Sequence, residues 1–61
     1  MATISYKTVQ EQGTLIHRSE FGATIIETIK YKNAIYYLEF ISGMLVEFRD
    51  ETNNITIYKV N

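Results

Sequence analysis

The sequence predicts an all-β fold of five or six short antiparallel strands, and three observations carry that prediction. Nine Ile, seven Thr and three Val, with five Tyr and three Phe, stand against three Ala and three Leu, a usage that suits strands better than helices. Segments of four to eight residues rich in these types recur along the chain, the length expected of strands. The segments between them are short and hold Gly or Asn in most cases, as hairpin turns require. The expected arrangement is a meander, a small barrel or a two-layer sheet, with residues 1–61 as one domain.

Six segments qualify as strands. The first is TISYKTV (3–9), bounded by the punctuation QEQG. TLIHR (14–18) follows after QEQG, and TIIETIKY (24–31) after SEFGA. A two-residue turn at Lys32-Asn33 then leads into AIYYLEF (34–40), pairing Ile29 with Tyr36 and Ile25 with Phe40. That phase puts Ile25, Ile29, Tyr31, Ala34, Tyr36, Leu38 and Phe40 on one face, with Glu27 among them. Asn33 tolerates the left-handed conformation such a turn needs, and Lys32 is the poorer choice.

For MLVEFRD (44–50) the expected connection is a three-residue loop Ile41-Ser42-Gly43, with Gly43 left-handed and Phe40 opposite Met44. A two-residue turn at Ser42-Gly43 would send Met44, Val46 and Phe48 to the other face. ITIYKV (55–60) closes the chain, and its register is open: Asn53-Asn54 suits a tight turn, whereas a longer loop brings Val46 beside Tyr58. The rival to this reading is an α+β fold with a helix around residues 34–48, where Ala34, Tyr37, Leu38, Ile41, Leu45 and Phe48 fall near helical spacing. Gly43 in mid-helix would cost about 1 kcal/mol relative to Ala, which favours the strands.

Within this reading, NAIYYLEFISGMLVEF (33–48) is too apolar for a sheet with one wet face. With Tyr36, Leu38 and Phe40 inside, Ile35, Tyr37 and Ile41 lie on the second face, joined by Ile26 opposite Glu39 and extended by Leu45. Contiguous apolar groups there need a cover, which is either a second layer of the same chain or another chain. The protein interface expected from this surplus comprises Ile26, Ile35, Tyr37, Glu39, Ile41 and Leu45. Such a small chain has no Cys, and therefore no disulfide or thiolate metal site to support it, which leaves self-association, a dimer first, as its natural prop. No Pro blunts an edge strand.

Chemistry is sparse. The single His17 lies near Ser19 and Glu20 in LIHRSE, but one local run does not supply a catalytic triad, and a surface imidazole is the plainer reading. Asp50, Thr52 and Asn54 imitate the start of a calcium loop, yet Ile55 stands where Gly is required and Asn61 where a bidentate Glu belongs, so the segment reads as a turn. Glu27, on the core face, is expected at the rim or paired with a base. No cofactor, metal or catalytic site is expected.

The formal net charge of −1 offers no field for nucleic acid or an anionic membrane. The second-ranked function is single-strand binding by a small barrel, using Lys30, Lys32, Tyr37, Arg49, Tyr58 and Lys59 as a stacking and phosphate platform. The first is a non-catalytic, self-associating protein-interaction module. A phage or mobile-element regulator that inhibits a host protein suits this size. The opening MATISYKTVQ has neither the basic start nor the apolar run of a secretion signal, and no segment is long enough to span a membrane, so a cytoplasmic setting is expected.

Overall fold

The computed structural model describes residues 4–60. A short helix, α1 (Tyr6–Gln12), precedes five strands, β1 (Thr14–Phe21), β2 (Thr24–Tyr31), β3 (Ala34–Ile41), β4 (Met44–Asp50) and β5 (Ile55–Lys59). The strands form one antiparallel sheet in the order β1-β2-β3-β4-β5. It is the expected meander, and it stays open, so no barrel forms. The helix considered for residues 34–48 is also absent: β3, a turn and β4 occupy that stretch.

The largest departure from the sequence reading is at the start of the chain. Residues 4–9 of the expected first strand are not extended into the sheet, and Thr3 lies outside the described residues. Ser5 ends the extended lead-in at φ −87° and ψ 139°, and its Oγ accepts the Lys7 N–H at 3.1 Å as an N-cap. Gln10, Glu11 and Gln12 then extend the turn as good helix formers. Seven residues make too short a helix to stand alone. Val9 is fully buried against the sheet, and the Tyr6 ring meets Phe40 and Phe48 edge-on at 6.0 and 6.5 Å.

Gly13 allows that close seat. A Cβ there would lie 2.5 Å from both Ile29 Cγ2 and the Val9 carbonyl oxygen, and the backbone at φ −84° is open to any residue, so the constraint is space alone. Gly13→Ala is expected to cost about 1–3 kcal/mol through overpacking. Urea denaturation would read this as a lower midpoint at unchanged slope.

The β2–β3 hairpin has the expected register, with Ile29 opposite Tyr36 and Ile25 opposite Phe40. Its positive φ falls on Lys32, at 55°, whose Nζ lies 5.4 Å from the centre of the Tyr31 ring. β1 runs on to Phe21, beyond the expected end at residue 18, and closes on Gly22-Ala23 with Gly22 at φ 62°.

Between β3 and β4 the connection is the two-residue turn Ser42-Gly43, both at positive φ, in place of the three-residue loop. The phase slip that such a turn imposes is undone at once. Phe40 faces Leu45 but Glu39 faces Glu47, so Val46 is an extra residue in β4, and this bulge returns Phe48 to the core opposite Leu38. The last hairpin uses a four-residue loop, residues 51–54, and a second bulge at Ile57, which together set Phe48 opposite Tyr58. Val46 meets Val60 through a backbone hydrogen bond of 2.9 Å, rather than Tyr58.

α1 covers one face of the sheet. Val9, Ile29, Tyr36, Leu38 and Phe48 form the buried core there, flanked by Ile4, Tyr6, Tyr31, Ala34, Phe40, Leu45 and Ile57. Among the described residues, no element crosses the other face.

Candidate protein interface

Register defines the open face row by row. At the end marked by the Gly22-Ala23 and Ser42-Gly43 turns, Phe21, Thr24, Ile41 and Met44 stand side by side across four strands. The next row is Ser19, Ile26, Glu39, Glu47 and Lys59, then His17, Thr28, Tyr37, Arg49 and Thr56, and finally Thr14, Lys30 and Ile35. The two turns are joined by a hydrogen bond from Ser42 N–H to the Ala23 carbonyl at 2.9 Å, which fixes the first row as a unit.

Three of the four side chains in that first row are apolar and wet, with Thr24 between Phe21 and Ile41. Phe21 is 59% exposed, Ile41 43% and Met44 71%, and an adjacent set of large exposed side chains marks a surface that another molecule covers. Sequence reasoning found Ile41 and missed Phe21 and Met44. In sequence SEFGA reads as a loop, which hides Phe21, and a three-residue turn at Ile41-Ser42-Gly43 places Met44 in the core.

Of the expected interface residues, Ile26, Ile35, Tyr37, Glu39 and Ile41 do share the open face. Leu45 does not. The Val46 bulge pairs it with Phe40 on the covered face, where it lines an open groove of about 450 Å³ with Ile4, Ser5, Tyr6, Phe48, Ile57 and Tyr58.

The centre of the open face is less apolar than expected. The Tyr37 hydroxyl donates to Glu39 Oε1 at 3.0 Å. The Arg49 guanidinium lies 4.6 Å from the Tyr37 ring centre and donates to Glu47 at 2.7 Å and Glu51 at 2.8 Å. Burial, followed by the hydrogen bond to Glu39, pushes the Tyr37 hydroxyl up to about 12, so it remains a neutral donor at ordinary pH. Stacking and charge matching hold these side chains in one arrangement, a polar clasp beside the apolar row.

The six residues named for a nucleic-acid platform do not come together. Lys30, Tyr37, Arg49 and Lys59 lie on the open face in three different rows, Lys32 sits in a turn, and Tyr58 pairs with Phe48 on the covered side. Glu39, Glu47 and Glu51 occupy the ground around Arg49, which offsets the attraction a phosphate backbone would feel there.

The remaining polar residues are accounted for locally. His17 Nε2 and Ser19 Oγ are 2.9 Å apart on the open face, while Glu20 points to the other side and meets Arg18 at 3.3 Å, so the three do not form a relay. Glu27 lies on the covered face, where it accepts from Gln10 at 3.2 Å and faces Arg18 at 3.8 Å. Asp50 is buried and accepts from Asn53 N–H at 3.0 Å and Asn53 Nδ2 at 2.9 Å, bonds that hold its carboxyl below its ordinary value. Thr52 Oγ1 accepts the Ile35 N–H at 2.9 Å, so Asp50 and Thr52 of the supposed calcium loop serve the turn. No cluster of three or more His, Asp or Glu suited to a metal occurs among the described residues, and no helix there is long and apolar enough to cross a membrane.

No protein-family model, curated protein or solved structure matches this chain.

Proposed function

We propose that the chain is a small, non-catalytic protein-interaction module that self-associates and presents its open sheet face to a protein. The observation that carries this reading is the one-sided cover: α1 packs on the Leu38 face alone, and Phe21, Ile41 and Met44 form an exposed apolar row on the other. Such a row, with the Tyr37–Arg49 clasp behind it, combines apolar area and fixed polar groups as protein interfaces do. A cytoplasmic regulator or inhibitor of a host protein is the setting this reading favours.

The test uses Ile41→Lys with Met44→Lys. Both side chains are exposed, so folding stability is expected to change by no more than about 0.5 kcal/mol per site. The unmodified chain is expected to scatter light with a mass above 7.1 kDa and to retain a protein that the double variant loses. A mass of 7.1 kDa at every concentration, with identical proteins retained by both forms, would refute the reading.

A further inference from the structure

From the free edge of the sheet we infer that two copies join through β1, antiparallel, about a two-fold axis at Ser19, to make one continuous ten-stranded sheet. This rests on the reading that the chain self-associates and specifies how.

β1 is one of the two edges of the sheet. It is eight residues long against five in β5, and β5 is interrupted at Ile57. The irregularity in β1 lies at Ile16, which leaves His17–Phe21 as an unbroken run against β2. No proline interrupts it, and nothing among the described residues covers its outer side. An uninterrupted edge of this kind is a template for another strand.

The direction of the backbone groups restricts the register. Phe21 and Thr24 flank a two-residue turn, and such a turn closes on a hydrogen-bonded pair. Hydrogen-bonded and non-hydrogen-bonded pairs alternate along an antiparallel ladder, so Ser19 and His17 also bond inward to β2. Arg18 and Glu20 therefore turn their N–H and C=O groups outward. A second β1 must bring its own outward residues opposite these.

Of the symmetric pairings that do so, centring on Arg18 or on Glu20 opposes like charges, which is destabilising across strands. Centring on Ser19 sets Arg18 opposite Glu20 of the second copy and Glu20 opposite its Arg18, with two backbone hydrogen bonds at each pair. The midpoint of the unbroken run is that same Ser19, so all of His17–Phe21 is used. Ser19 meets its own copy at a non-hydrogen-bonded position, where Cα atoms approach to about 4.5 Å and a small side chain is easily accommodated.

Arg18 already meets Glu20 of its own chain at 3.3 Å and Glu27 at 3.8 Å, surface contacts worth little each, which the pairing across the axis exchanges for contacts with the second copy. The Arg18 and Glu20 side chains are 43% and 58% exposed. Within its own chain, Glu20 faces Ile25 across the ladder, so the position on its outer side is free for a cation.

The experiment exchanges the charges one at a time. Arg18→Glu gives two acidic residues at the outward positions and Glu20→Arg two basic ones, so each variant alone is expected to fall from a dimer, twice 7.1 kDa, to 7.1 kDa while keeping the parent's circular dichroism. Mixed in equal amounts they are complementary, and the mixture is expected to regain the dimer mass. On the unmodified chain, amide hydrogen exchange at Arg18 and Glu20 is expected to slow as concentration rises, with Thr56 and Lys59 of the other edge unchanged. That measurement decides the matter should either variant fail to fold. Variants that remain dimers, folded variants that do not recover on mixing, or exchange at Arg18 and Glu20 independent of concentration would overturn the β1 pairing while leaving self-association intact. An unmodified chain that is monomeric at millimolar concentration would overturn both.

Discussion

Leu38→Ala is expected to leave the chain largely unfolded at room temperature, or within reach of very little urea. Leu38 is fully buried at the middle of the central strand, between Glu27 on β2 and Phe48 on β4, beneath the helix. Truncating a buried Leu costs about 2–5 kcal/mol through lost transfer energy and the cavity left behind. At 0.05–0.15 kcal/mol per residue, a chain of this length has about 3–9 kcal/mol in all. The substitution therefore removes a large share of the total. Collapse around the gap is hindered because Tyr36 and Phe48, ring centres 5.6 Å apart, are already in contact and cannot both shift inward without losing their own packing.

Far-UV circular dichroism against urea is the measurement, with Ile41→Ala as the comparison. Ile41 sits on the same strand but 43% exposed on the open face, and its truncation is expected to change stability by less than about 1 kcal/mol. Equal losses at the two positions would mean that the two faces of β3 are buried alike, and the one-sided core described above would be wrong.

The difference between those faces was legible in part from sequence. The turn Lys32-Asn33 has only one sensible phase once Ile25, Ile29, Leu38 and Phe40 are required to share a side, so the pairing of β2 with β3 followed directly. The bulges did not follow. Val46, Ile16 and Ile57 are ordinary β residues, and nothing in their identity marks them as the extra residue in a ladder. Leu45 and Met44 fall on the faces opposite those expected for that reason alone: a two-residue turn by itself displaces Phe48 from the core, and the one-residue bulge at Val46 cancels the displacement.

The helix was missed for a different reason. Ile4, Tyr6 and Thr8 alternate as a strand would, and local propensity in a seven-residue segment is too weak to decide. The signal that was present is Ser5 ahead of a run ending in Gln10, Glu11 and Gln12 before Gly13, a cap, helix formers and a stop. The deciding force lies elsewhere. A five-stranded open sheet needs its apolar face covered, and α1 places Tyr6 and Val9, three residues apart on one helical side, over that face.

Val9→Asp is accordingly expected to be at least as damaging as the Leu38 truncation, and by a separate route. Val9 is the one buried residue of α1 and is fully enclosed. A carboxylate there would be an unpaired charge in the core, which costs several kcal/mol if it stays inside. The cheaper course is for the helix to leave the sheet, since a seven-residue helix has almost no stability of its own to lose. Release would open Ile29, Leu38, Phe40 and Phe48 to water, on top of the apolar row already exposed on the other face. A sheet wet on both sides has no core to hold it together, so the variant is expected to lose cooperative unfolding, to bind a hydrophobic dye strongly and to aggregate. Lys7→Asp, on the exposed side of the same helix, supplies the control and is expected to shift stability by no more than about 0.5 kcal/mol. If Val9→Asp unfolded at the same urea concentration as the parent, α1 would be an ornament on a self-sufficient sheet, and the strands would have to find their stability in contacts with another chain.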